Sequence, residues 1–349
     1  MRDGRDNKNG QDAALTAEKI LEEFKPAHHV GKYPLHISTS IGISVYPNDG
    51  LDAEILIKNA DTAMYFAKQK GRNNYQFFKN AMTIQSVQRM NIEANLRVAL
   101  EKEQFTLRYQ PKINLISNEI TEVEALLRWQ HEQWGEIHPL DFMTIAEDCG
   151  LMLPIGRWVL REACSQAKHW INVGMPVIMA VNVSEKEFLH KDFVEGVRAV
   201  LLETQLPANF LELEITESAL MREASKSMTI LQELKEMGIK LAVDNFGTGY
   251  SSLSYLQQFP IDVLKIDQSF VHQIRSVQDE DIIIPAIISI GHNLKLKVTG
   301  KGIENELQLE FLKNQKCQEG QGNFFSPALT VEEFVNMQSN SRLSASSMN

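Results

Sequence analysis

The stretch 239-IKLAVDNFG-247 decides the fold. Its apolar run, Leu241 to Val243, has the character of a strand buried on both faces, and it delivers a carboxylate, Asp244, to a turn made of the glycines in 247-GTG-249. A helix over 251–258 and a second buried strand, 261-IDVLKID-267, follow, with Lys265 after the apolar Leu264. A buried strand, a polar residue at its C-terminal end, a loop and a helix make one β/α unit. Outward from here the unit recurs. Strands 105-FTLRYQPKINL-115, 120-ITEVEALLRW-129, 177-VIMAVNVS-184, 210-FLELEITES-218 and 295-KLKVTGKGI-303 are interleaved with helices over 140–150, 154–170, 192–204, 222–237, 281–293 and 304–314, and a short strand near 323-NFFS-326 closes the set. About eight units in about 240 residues is the count and size of an α/β, TIM-like (β/α)8 barrel, here over 104–338, and such barrels carry their chemistry at the C-terminal ends of the strands.

The totals fit a globular protein of 349 residues, 43% hydrophobic and 23% charged, long enough for one large domain and a smaller one. A net charge of -10 argues against a sequence-independent nucleic-acid binder, which needs a basic face. Three cysteines, Cys149, Cys164 and Cys317, lack CxxC spacing and give neither a disulfide framework nor a zinc site, so a reducing, cytoplasmic setting is expected. No apolar run approaches the ~18 residues of a membrane span, and the polar N-terminus has no signal-peptide core, so this part is expected to insert in no membrane. Ahead of the barrel, residues 1–79 give a helix over 12–24, a strand over 35–47, a helix over 52–71 with Asp52 near its start and Gly71 at its end, and a strand over 74–78. A helical connector over 80–103 and a disordered tail over 339–349 complete the organisation.

The strands end in turn at Glu124, Asn182, Glu214, Asp244 and Lys265. Any one of these alone is more often a capping or hydrogen-bonding group. Converging on one mouth, three carboxylates and an amide oxygen form a hard cluster suited to Mg2+ or Mn2+ rather than zinc.

The segments 124-EALLRW-129, 181-VNVS-184, 214-EITES-218, 244-DNFGTGYSSL-253, 265-KID-267 and 320-GQGNFFS-326 resemble, in order and spacing, the EAL-domain family of cyclic-di-GMP phosphodiesterases. That resemblance implies a barrel that binds cyclic-di-GMP across its strand ends and hydrolyses it to linear pGpG. It implies metal ligation by Glu124, Asn182, Glu214 and Asp244, the last shared with a second ion. Catalytic roles fall to Glu124, Lys265, which fixes the attacking water, and Glu304. Ligand contacts fall to Gln110, Arg128, Asp267 and Gln321, and Glu217 anchors the 244–253 loop. A homodimer through this domain is expected, with a further protein partner as an option.

Two positions depart from the family pattern. DDFG is the usual form, and Asn245 stands at its second aspartate; AEGVE is the usual form, and in 300-GKGIE-304 Lys301 replaces a glutamate that helps hold the second metal, while Glu304 is kept. The family's acids balance two divalent cations. Here Glu124, Glu214 and Asp244 set against Lys265 and Lys301 leave one net negative charge, too little for two ions within ~4 Å. Recognition is therefore expected to survive and hydrolysis to be impaired, ahead of an active Mg2+/Mn2+-dependent phosphodiesterase and of a scaffold that binds no nucleotide.

At the N-terminus, 40-SIGISVYP-47 and 61-DTAMYFAKQKGRNNYQFF-78 resemble the C-terminal part of a GGDEF (diguanylate cyclase) domain. The motif that would hold GTP is absent, so an incomplete α+β segment is expected, to which no cyclase activity is assigned, with its 37–46 strand at risk of an unpaired edge.

Overall fold

The computed structural model describes residues 6–26, 28–30, 33–35, 37–249, 253–276 and 283–346. The chain divides into two compact units, Met1–Asn95 and Leu96–Asn349.

In the first unit, helix Ala53–Gln69 starts where Asp52 accepts a hydrogen bond from the Ile55 N–H at 2.9 Å, the capping that an aspartate at this position provides. The strand read over 35–47 is corrected to two pieces, Tyr33–Leu35 and Ile41–Ile43. A strand persists only where it has a partner: Tyr33–Leu35 pairs antiparallel with His28–Val30, and Ile41–Ile43 pairs parallel with Tyr75–Phe77. The expected unpaired edge is thus covered on one side. Gly42 is required there, because a Cβ would lie 1.9 Å from the Ala60 carbonyl oxygen of the overlying helix. Ala63, Phe78 and Met82 make a small core. Helix Asn80–Glu101 takes the stretch read as a connector.

In the second unit, eight strands close into a barrel in sequence order: β1 Phe105–Asn114, β2 Ile120–His131, β3 Ile178–Val183, β4 Leu211–Thr216, β5 Lys240–Phe246, β6 Val263–Ile266, β7 Lys297–Lys301 and β8 Glu319–Gln321. Seven run parallel, while β1 is antiparallel to both neighbours. The cause is the link over 115–119, far shorter than the dozen or more residues of a parallel crossover, so β1 and β2 form a hairpin. The consequence is positional. Because β1 runs the other way, its first half lies beside the C-terminal end of β2, with Arg108 opposite Leu126 and Gln110 opposite Glu124.

Two other readings are corrected, and one strand is added. The last barrel strand is 319–321, not 323–326, since backbone pairing with β7 and β1 rather than apolar alternation defines it. A short strand, Gly135–Ile137, adds to β2 on the side of the chain's return. The expected tail over 339–349 is helical as far as Ser346, in helix Val331–Ser346, because no glycine or proline interrupts a helix already seated by the buried Phe334; 347–349 lie outside the described residues. So do 251–252 and 281–282, read as helical starts; the helices that follow are Leu253–Gln258 and Ile283–Asn293.

The strands are buried on both faces. In β4 the alternation is Leu211, Leu213 and Ile215 against Glu212 and Glu214, all buried. Where such barrels usually stack branched apolar side chains, this interior holds Lys112, Glu122, Glu212, Glu214 and Lys265 with no exposed surface beyond 1%.

Candidate functional site at the barrel mouth

Alternation along the strands turns Glu124, Asn182, Glu214, Asp244 and Lys265 toward one another. Glu124 Oε1 accepts from the Asn182 amide at 2.7 Å, and its Oε2 accepts from Lys265 Nζ at 3.0 Å and from Gln321 Nε2 at 2.8 Å. Lys265 Nζ also donates to Glu214 Oε2. On β7, Lys301 Nζ reaches both carboxylate oxygens of Asp244, at 2.8 and 2.9 Å. Burial pushes Glu124 toward the neutral acid, but the ammonium groups of Lys265, Lys301 and Lys112 outweigh it and hold the carboxyl well below the usual carboxylate range. Burial likewise opposes the charge on Lys301, and Glu124, Asp244 and Glu214 more than restore it, so the lysine stays protonated.

A cavity of about 660 Å³ opens above this cluster, walled by residues that include Arg108, Gln110, Glu124, Arg128, Glu136, Lys301, Glu304 and Gln321. Gln321 Nε2 donates to Gln110 Oε1 at 3.1 Å, while its own Oε1 is buried without a hydrogen-bond partner among the described residues, an acceptor left for water or ligand. Arg128 is nearly buried on β2; its Nη1 donates to the Leu127 carbonyl at 2.8 Å, and burial lowers its pKa from the usual guanidinium value. The Glu304 carboxylate sits at the rim, 3.7 Å from His272 Nε2.

The Asp267 carboxylate caps the short helix Gln268–Val271 by accepting from the Ser269 N–H at 2.8 Å, and the neighbouring Gln268 walls the cavity. Glu217 does reach the loop after β5: Glu217 Oε2 accepts from the Gly247 N–H at 2.8 Å. Gly247 has φ +96° and Asn245 φ +54°, both in the left-handed region, at a shift in the β5–β6 register. Residues 250–252 of that loop lie outside those described.

The family model for the EAL domain matches residues 93–328. The chain belongs to the EAL-domain family. A second model, that of the diguanylate cyclase GGDEF domain, matches residues 3–74, ahead of the EAL domain. Among curated relatives, the bifunctional diguanylate cyclase/cyclic di-GMP phosphodiesterase MucR of Pseudomonas aeruginosa is 41% identical over 325 residues, covering 93% of this chain and 47% of MucR. The cyclic di-GMP phosphodiesterase PdeR of Escherichia coli is 35% identical over 321 residues, covering 91% of this chain and 48% of PdeR. The chain thus spans about half the length of these relatives. Among solved structures, the MucR phosphodiesterase in complex with c-di-GMP superposes with a TM-score of 0.68 at 42% identity, covering 70% of this chain and 99% of that one.

The EAL cluster offers three carboxylates and an amide oxygen, donor types that fit one hard divalent cation. Both oxygens of Asp244 also meet the Lys301 ammonium. Among the described residues no group of three or more His, Cys, Asp or Glu is arranged to hold a metal ion. Sequence reasoning missed Arg108 and Glu136 at the mouth and the buried Lys112 below it. The first two follow from the antiparallel course of β1 and the added strand 135–137; Lys112 lies two residues beyond Gln110, on the same face of β1.

Proposed function

We propose that this chain is a cyclic-di-GMP-binding EAL module whose hydrolysis of the dinucleotide to pGpG is impaired. One observation carries the reading: the Lys301 ammonium holds both oxygens of Asp244 at 2.8 and 2.9 Å. In the family's pattern Asp244 is shared between two divalent cations, and two-metal hydrolysis needs both ions, about 4 Å apart, to activate the water and receive the leaving oxygen. Here a fixed monovalent charge stands on that carboxylate. One Mg2+ or Mn2+ held by Glu124, Asn182, Glu214 and Asp244 would supply Lewis acidity at a phosphate oxygen. The chain's own groups bind and orient: Arg128, Gln110 and Gln321 wall the cavity, and a guanidinium's forked donors suit a phosphate. Binding asks less than hydrolysis, since Lys301 attracts phosphates as readily as it repels a cation.

The names of MucR and PdeR, both phosphodiesterases, favour a second reading, an active Mg2+/Mn2+-dependent enzyme, and Glu304 at the rim is the acid it would draw on. A single preparation separates the two. Incubated with cyclic-di-GMP and Mg2+ or Mn2+, the protein is expected to bind by calorimetry while pGpG, followed by chromatography, stays near background. Turnover matching that of the MucR EAL domain overturns the first reading, and absence of binding overturns both.

A further inference from the structure

Arg108 and Glu136 form an arrangement at the mouth that the cluster of strand-end residues does not use. On β1, Thr106, Arg108 and Gln110 alternate onto the face that looks into the barrel, and Arg108 sits one step outward from Gln110. On the strand 135–137, Glu136 pairs with Gln130 of β2 and hangs over the same cavity. Its Oε2 accepts from Arg108 Nη2 at 3.0 Å and from Gln130 Nε2 at 2.6 Å, and its Oε1 lies 3.7 Å from Arg128 Nε. One exposed carboxylate therefore holds two guanidiniums on a cavity wall. A second acid, Glu333, stands 3.9 Å from Arg108 Nη1.

We propose that Arg108 is a second phosphate-contacting residue, paired with Arg128 to take the two phosphates of a cyclic dinucleotide, and that Glu136 occupies both guanidiniums until a phosphate displaces it. This rests on the reading of the site as a dinucleotide receptor. The chemistry sets the sign. A carboxylate and a phosphate compete for the same forked donors, and a displaced Glu136 is left beside an anion of its own sign. Glu136 therefore opposes ligand binding, and removing its charge strengthens it. Arg108 is 28% exposed and Glu136 34%, so the competing ion pair is partly screened, which bounds the gain.

The test is calorimetry of the full chain with cyclic-di-GMP at two salt concentrations, comparing the wild type, Glu136→Gln, Arg108→Ala, Arg108→Lys and the double variant Glu136→Gln with Arg108→Ala. Glu136→Gln is expected to tighten binding by about threefold or more. Arg108→Ala is expected to weaken it by about tenfold with a shallower salt dependence. Arg108→Lys should keep the salt dependence and lose affinity, because a point charge replaces a fork, and the gain from Glu136→Gln should shrink once Arg108 is gone. Weaker or unchanged binding in Glu136→Gln, or unchanged binding in Arg108→Ala, overturns the proposal. If the wild type binds no cyclic-di-GMP, the receptor reading fails, and the same proteins titrated with inorganic pyrophosphate still decide whether Arg108 and Glu136 form an anion subsite: the same order of affinities supports it, and identical or absent binding rejects it.

Discussion

Lys301 and Asp244 depend on each other's charge. The lysine side chain is 19% exposed and the aspartate 6%, so removing the lysine leaves Asp244 with little water to replace its partner, at a cost of about 3–5 kcal/mol, while removing Asp244 costs less because Glu124 and Glu214 still face the lysine. Restoring the family's pattern requires an acid at both departures. Asn245 has φ +54°, a conformation that asparagine and aspartate both tolerate, so Asn245→Asp changes charge without straining the backbone. The double variant Asn245→Asp with Lys301→Glu is expected to raise pGpG formation in Mn2+ by about tenfold or more, a change of at least about 1.4 kcal/mol in the barrier. Chromatography of the product alongside metal titration checks it, and background activity in a variant that binds metal normally would show that charge at the second site is not what limits turnover. The two departures themselves were legible in the sequence because they interrupt motifs of fixed spacing. That Lys301 spans both oxygens of Asp244 was not, since the pairing depends on a rotamer choice across three strands.

Elements were legible where a segment buries its own apolar face. The interior strands 178–183, 211–216, 240–246 and 263–266 carry compact apolar runs, and the reading over 239–247 matches β5 to within a residue at each end. β8 was displaced because Glu319, Gly320 and Gln321 have no apolar pattern of their own; their strand geometry is imposed by Thr299, Gly300 and Lys301 on one side and by Ile113 and Asn114 on the other. The loop after β5 was legible as a turn from its glycines, but its anchor came only from the family resemblance. Glu217, 2% exposed, spends a buried carboxylate oxygen on the Gly247 N–H, and a Cβ on Gly249 would come within 3.1 Å of its other oxygen. Glu217→Ala is expected to cost about 1–3 kcal/mol and to speed amide exchange at Gly247, while Glu217→Gln, which keeps an acceptor, retains most of the protection. Hydrogen exchange followed residue by residue distinguishes the two; equal protection in the alanine variant would remove Glu217 as the anchor.

Across the whole barrel, the interior is one column of opposite charges. It runs from Lys301 and Asp244 at the mouth, through Lys265 with Glu124 and Glu214, to Lys112, whose Nζ lies 3.0 Å from Glu122 Oε2, 2.5 Å from Glu212 Oε1 and 2.9 Å from Glu214 Oε1, and on to Lys297, 3.0 Å from Glu319. Periodicity hides such a column, because Lys112, Glu122 and Glu212 occupy inward positions that a strand pattern assigns to solvent or to function. Lys112 faces three carboxylates, and with Lys265 sharing Glu214 one anion is left in excess; burial together with Glu122 and Glu214 pushes Glu212 up to about 8 despite the attraction of Lys112, while Glu122 is held low. Folded, Glu212 keeps its proton to about pH 8; unfolded, it releases it near 4.5. Between these values the folded chain holds the extra proton, so stability falls as pH rises, by up to about 1.4 kcal/mol per pH unit, and the loss is complete above the folded value. Glu187, pushed up to about 7 by burial against the Ser184 hydrogen bonds, adds a slope of the same sign that ends lower. Glu212→Gln presents an uncharged acceptor to Lys112 and an N–H where the acid holds its proton, so it imitates the protonated side chain at every pH. Urea denaturation from about pH 5 to about pH 8 should therefore show the variant's stability falling less steeply than the wild type's, the gap widening in favour of glutamine as pH rises. Parallel profiles would mean that Glu212 is ionised throughout, and that the column of lysines compensates every carboxylate it meets.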